Sequence, residues 1–279
     1  MRGAWRWPWQ AIVALLMGCA VFVYAQSRLP GIKRVQVDAE IAIVLPVFVQ
    51  VILAGGDRNL AASWAAIRAL VTETFKMKPE DFRVLGLVQR DASWLNPAHE
   101  DNYYIAAAIL PWEGQVEAAQ VILRRATLSR FYDYQPPFYY AFNLVHFMGN
   151  HLAASEWLLQ AAPKLPNADE RLLLENFAAR WLDRTQDVDL AARIVEALAK
   201  QAKRKDFADY LRIRAQRLRD LGALRRAATV YSDRHGKPLI ELSELVSAGL
   251  VAKLPVDPFG FGFALDTNGV PVLLNRPQK

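Results

Sequence analysis

YYIAAAILPWEGQVEAAQVILRRATLSRF (residues 103–131) and FYYAFNLVHFMGNHLAASEWLLQAAPKLP (residues 138–166) align without a gap when the second is moved back 35 positions. Tyr103 then meets Phe138, Ala107 meets Phe142, Leu110 meets Val145 and Gly114 meets Gly149. Ala119 meets Ala154, Leu123 meets Leu158 and Ala126 meets Ala161. Each stretch predicts a helix A, a glycine turn and a helix B, closed by an aromatic or proline break. The B positions fall at i, i+4 and i+7, one face of a helix. Alanines on that face let helix B approach helix A, and Phe138, Phe142 and Leu158 fill the remaining space. One such pair cannot bury its apolar face alone, so a row of stacked pairs is the expected fold.

The pattern weakens outward from these two units. Upstream, Asp57 is a candidate N-cap for a helix through about Phe75, with Leu60, Trp64, Ile67 and Val71 on one face. Pro79 opens a further helix that ends before Asn96-Pro97. Downstream, Glu175–Leu198 reads as a third unit, with Gln186 where the turn glycine belongs. The central units resemble tetratricopeptide repeats: Gly149, Ala154, Leu158, Ala161 and Pro166 carry that family's glycine, alanine, large apolar, alanine and closing proline. Trp94–Pro97 looks like the tail of an earlier, degraded unit, and the resemblance covers roughly Asp57 to Arg217. It implies a scaffold whose concave face, lined by the A helices, holds a partner. Tyr103, Phe138 and Phe142 are expected between helices, whereas Tyr104, Tyr139 and Asn143 point to another face and are the groove candidates.

The N-terminus has a different character. Ala11–Ala25, AIVALLMGCAVFVYA, is uninterrupted apolar sequence and rises about 22 Å as a helix, short of a hydrocarbon core of about 30 Å. Trp5, Trp7 and Trp9 extend it toward spanning length and suit a headgroup boundary. A retained signal anchor over residues 1–27 is therefore expected. Cleavage after Ala25 and lipidation at Cys19, within Leu16-Met17-Gly18-Cys19, use the same residues and stay open. Arg2 and Arg6 before the run nearly balance Arg28, Lys33 and Arg34 after it; a short N-terminus inside and an exported bulk is the usual outcome. A second apolar run, Ile41–Ala54, holds Pro46 and Gln50 and reads as an extended, buried lead-in over residues 28–56.

Charge concentrates at one place. The chain nets +6, but ten Lys or Arg against three Asp leave +7 within Lys200–Arg226 alone. Phe207, Leu211, Arg214, Leu218 and Leu221 predict an inner stripe, with Lys203, Arg204, Arg212 and Arg219 on an outer basic surface. Such a surface suits an acidic protein partner or anionic lipid headgroups; no recognised nucleic-acid module accompanies it.

After Arg226 the composition shifts. Ser243 opens a short helix with Leu245 and Val246 inward, Gly249 ends it, and Phe263–Leu265 pairs with Val270–Leu274 across Asp266-Thr267-Asn268-Gly269. Residues 218–279 thus form the end of the basic helix and a small helix-plus-hairpin cap. The cap is similar to the tail of type II secretion major pseudopilins, carried by Tyr231, His235-Gly236, Pro238, Leu254-Pro255 and Asp257-Pro258-Phe259-Gly260. In that family the loop after the Asp-Pro turn can bind calcium; here only Asp257 and Asp266 could serve, and no metal site is expected.

Function classes narrow accordingly. A chain of 279 residues, 53% hydrophobic and 22% charged, is too apolar for disorder, and one cysteine excludes a disulfide framework. His99, His146, His151 and His235 occupy no metal or catalytic spacing, and phosphate-binding and nucleophile motifs are missing. The expectation is a mainly α, non-enzymatic, cofactor-free scaffold or assembly factor. It would be anchored once in a bacterial inner membrane with its bulk periplasmic, and bind protein partners of an envelope complex related to type IV pili or type II secretion. An accessory structural subunit of an inner-membrane enzyme complex is the alternative.

Overall fold

The computed structural model describes residues 9–28, 44–72, 74 and 77–274, without the side chains of residues 10–12 and 25–28. Trp5, Trp7, Arg2, Arg6, Lys33, Arg34, Ile41 and Phe75 lie outside the described residues. The chain divides into two compact units, 1–40 and 41–279. The first is described through α1 (Trp9–Arg28), whose side chains from Val13 to Tyr24, the free Cys19 included, are exposed. Among the described residues, no helix is long and apolar enough to cross a membrane.

The second unit is mainly helical. In chain order it holds α2 (Val47–Leu53), α3 (Arg58–Leu70), α4 (Pro79–Leu95), α5 (Glu100–Ile109), α6 (Val116–Ser129), α7 (Gln135–His146) and α8 (His151–Ala161). There follow α9 (Ala168–Leu182), α10 (Val188–Gln201), α11 (Lys205–His235), α12 (Ser243–Ser247) and the strands β1 (Phe263–Leu265) and β2 (Pro271–Leu273). Helices pack mainly on their sequence neighbours, and α4 also meets α6. The core accordingly moves along the chain in successive apolar clusters: α3 to α6, then α7 to α9, then α9 to α11, then α11 with the C-terminal module.

Local chemistry sets the boundaries. The Asp57 carboxylate accepts from the Asn59 and Leu60 amides at 2.8 and 3.2 Å, Asn150 accepts from Ala153 at 3.0 Å, and Asp187 accepts from Leu190 at 2.8 Å. Gly114 and Gly149, the aligned turn residues, have φ of 73° and 65°, a left-handed region that costs every side chain but hydrogen. Ala119, Leu123, Ala126, Ala154, Leu158 and Ala161 are all buried, so the predicted B-helix face is the packing face.

Three expectations need correction, and the inner face of α3 is decided. From residue 47 the second apolar run is helical rather than an extended lead-in: Pro46, itself extended, starts α2, and Val47, Val51 and Ala54 pack on Ala61, Ala62 and Leu95. Helical spacing of those contacts overrides β-branched propensity. In α3 the buried face is Ala61, Ala62, Ala65, Ala66 and Ala69, while Leu60, Trp64, Ile67 and Val71 face out. Close approach to α4 selects the alanine face over the bulkier one. The third unit begins at Ala168, capped by Asn167, rather than at Glu175. In α12 only Leu245 is buried; Val246 is exposed.

The C-terminal module closes over α11. Tyr231, Leu239 and Leu245 are buried with Leu224 and Ala228. The hairpin forms as expected, pairing Phe263 with Leu273 and Leu265 with Pro271. Of its two turn residues only Gly269 takes positive φ; the Asp266 carboxylate holds the turn by accepting from the Asn268 and Val270 amides.

Candidate partner-binding groove

Tyr103 and Tyr104 are adjacent on α5 and therefore point to different faces. Tyr103 goes inward: its hydroxyl donates to Asp133 at 2.8 Å, and the Arg130 guanidinium lies 5.6 Å from the ring centre. Burial, followed by the Asp133 hydrogen bond and charge, raises the Tyr103 phenol above the ordinary tyrosine range. Arg130 also bonds Asp133 at 2.9 Å and Glu100 at 2.8 Å, joining the start of α5 to the turn before α7.

Tyr104 goes outward and is 54% exposed. Its ring meets Tyr139 of α7 edge to face at 6.2 Å. The two phenols stand at a cleft of about 270 Å³ whose lining continues through Ala107, Ala108, Trp112, Phe138, Phe142 and Asn143. Burial, then the nearby Tyr104, raises the Tyr139 phenol. Trp112 is held by Phe147 at 5.0 Å, and Phe142 stacks on His146 at 5.3 Å, so the aromatic walls brace one another.

The three groove candidates are thus brought together, with one difference in role. The Asn143 side chain is buried; its Nδ2 donates to Gln120 Oε1 at 3.4 Å, so it floors the cleft and ties α7 to α6. Phe138 and Phe142, expected between helices, are only half-buried and line the same cleft. Phe138 also meets Phe177 at 4.9 Å and Trp181 at 6.1 Å, which carries the aromatic row onto α9. Trp112 was not legible as a groove residue, because it lies in the turn after α5. The pair Ala107-Ala108 was the available signal, since small residues beside large aromatics leave a hollow.

The basic stretch is not one open surface. It begins on α10, turns at residues 202–204 and enters α11 at Lys205. Arg204 pairs with Asp206 at 2.6 Å, Arg219 with Glu196 at 2.7 Å, Arg226 with Asp189 at 2.6 Å, and Arg212 with Asp209. Lys203 and Arg204 instead edge a separate cleft of about 260 Å³ with Arg171 and Glu175, whose carboxyl burial raises. Two of the cations are interior. Arg214 meets Asp183 at 2.6 Å, and Arg217 meets Asp257 at 2.8 Å with side chains only 2% and 1% exposed. Spacing placed Arg214 on the inner stripe but could not show Arg217 or the pairing. Asp183, Asp189, Glu196 and Asp257 lie at the end of α9, on α10 and in the C-terminal turn; of the pairing acids only Asp206 and Asp209 lie within the stretch.

Asp257, one of the two carboxylates considered for calcium, is engaged by Arg217 and by the amides of Phe259 and Gly262 at 3.0 and 2.8 Å. Arg217 also donates to the Leu274 carbonyl at 2.7 Å, and Phe259 and Phe261 lie 5.6 and 5.7 Å from its guanidinium carbon. The Asp-Pro turn is therefore a buried clamp onto α11. Among the described residues, no three His, Cys, Asp or Glu side chains are grouped to hold a metal ion.

The groove lining holds no carboxylate and no histidine. It can receive an apolar side chain among aromatic rings and offer two phenols to a partner's polar groups; it holds no acid and base pair for chemistry. No protein family, curated protein or solved structure matches the chain.

Proposed function

We propose that the chain is a membrane-anchored scaffold or assembly factor that holds a protein partner of a bacterial envelope complex on the α5–α7 face. The observation that carries this reading is the hollow at Tyr104 and Tyr139, floored by Asn143 and lined by Ala107, Ala108, Trp112 and Phe142. Large rigid aromatics beside small residues form the kind of pocket in which one apolar anchor supplies most of a partner's affinity. Stacked pairs resembling tetratricopeptide repeats provide the rigid support, and α1 is the proposed anchor. The cap resembling a pseudopilin tail favours pilus or secretion machinery as the complex.

Co-purification from gently solubilised membranes, read by mass spectrometry, tests the reading. Envelope-assembly components should co-purify with the wild-type chain and fall at least about tenfold with Tyr139→Ala or Phe142→Ala, the loss of one interface hot spot. Stoichiometric recovery with an oxidoreductase or transporter, unchanged by those substitutions, would replace it with the accessory-subunit reading.

A further inference from the structure

α3 is apolar on both sides. Its alanine side is buried against α4, yet Leu60, Trp64, Ile67 and Val71, at i, i+4, i+7 and i+11, are 39%, 48%, 55% and 63% exposed. α2 adds Phe48, Ile52 and Leu53, all more than half exposed. A helix that is apolar all round is ordinarily covered, and the end helix of a stacked row ordinarily turns a polar face to water.

We propose that this face of α2 and α3 rests on an anionic phospholipid surface, with the helices lying in the interface. The proposal rests on the membrane reading of α1. Two features select lipid as the occupant. First, the charged residues from 44 to 70 are Asp57, Arg58 and Arg68, and the Asp57 carboxylate is engaged by two backbone amides at the start of α3. Arg68 lines one cleft with Leu53 and Trp64, and the Arg58 Nε donates to the Leu95 carbonyl at 2.7 Å. The face is thus apolar with an indole and a cation at its edge, the combination that suits anionic headgroups over an acyl boundary. Second, 16 residues separate Arg28 from Leu45, a length that reaches at most about 60 Å. If the N-terminal apolar stretch anchors the chain, as proposed above, α2 and α3 are kept at high effective concentration near that surface.

The test uses the full chain in vesicles of phosphatidylcholine and phosphatidylglycerol, with Cys19→Ser and one new cysteine carrying an environment-sensitive fluorophore. Labels at Ile67→Cys on α3, Val21→Cys on α1 and Arg193→Cys on α10 are compared with and without lipids bearing a shallow spin-label quencher. At Ile67 the fluorescence should fall at least about twofold with a blue-shifted emission, while Arg193 should stay unquenched. Adding Trp64→Ser and Val71→Ser should abolish the quenching at Ile67 with helicity unchanged, because neither side chain is in the core. If the Val21 label is quenched and the Ile67 label remains in water, the interfacial contact is wrong and the anchor stands. If neither label is quenched, both readings fall. An apolar but unquenched environment at Ile67 that grows with protein concentration would assign the face to a second copy and overturn the proposal.

Discussion

The two ends of the helical row are finished in opposite ways. At the C-terminal end the cap covers α11 with Tyr231, Leu239 and Leu245 and is bolted down by the buried Arg217–Asp257 pair. At the N-terminal end α3 presents Leu60, Trp64, Ile67 and Val71 to the outside, and α2 covers only one end of it. The need to shield the last helix of a stack from water is met by the chain's own cap at one end, whereas at the other the described residues leave the outer face of α3 exposed. The difference teaches which end the fold itself closes.

The largest test of that contrast is at the bolted end. Arg217→Met should destabilise the fold by about 3–5 kcal/mol, because it leaves the Asp257 carboxylate buried without its cation. Urea denaturation measures the loss, and limited proteolysis after Arg226 should show the cap released first. At the open end the two faces of the first helix pair should behave unlike each other. Leu85→Ala, on the buried side of α4, should cost about 2–5 kcal/mol by the same measurement.

Gly269→Ala probes how closely the hairpin is pressed on α11's cap. A Cβ there would meet the Leu239 carbonyl oxygen at 2.6 Å at a φ of 75°, so a loss of about 1–3 kcal/mol in thermal or urea unfolding is expected. Between the ends, Tyr103 carries a pH signature. Its folded-state pKa lies above the unfolded value of about 10, so its contribution is present below that pH and is lost as pH rises above it. Tyr103→Phe should flatten the alkaline limb of the stability profile, and an unchanged limb would assign that limb to other groups. The smallest effect sharpens the comparison most. Ile67→Ser, without lipid, should change stability by no more than about 0.5 kcal/mol, since the side chain is already in water. A loss of several kcal/mol would mean that the face is covered within the protein itself.

Much of the helical order was legible because local chemistry encodes it. Asp57 capped α3 as expected, Gly114 and Gly149 took the left-handed turns, and the aligned alanines of α6 and α8 became the packing face. The inner face of α3 was not legible because two apolar stripes run along one helix, and hydrophobicity alone does not choose between them. The basic stretch was legible in part: Arg214 fell on the expected inner stripe, but Arg217 did not, and the partners Asp183 and Asp257 lie 31 and 40 positions away in sequence. Of the groove, Tyr104, Tyr139 and Asn143 were legible by their position on the A helices, whereas Trp112 depended on how the turn after α5 folds back.

What the sequence determined by itself is what short-range forces decide: helix starts and stops, the period of the repeat, the hairpin and the placement of net charge along the chain. Only the tertiary structure decided which stripe of α3 is inside, which arginines are surface and which are core, and where aromatic side chains leave a hollow. Those outcomes depend on the distance at which two helices pack and on charges brought together from remote segments. Neither quantity is a property of any window of residues.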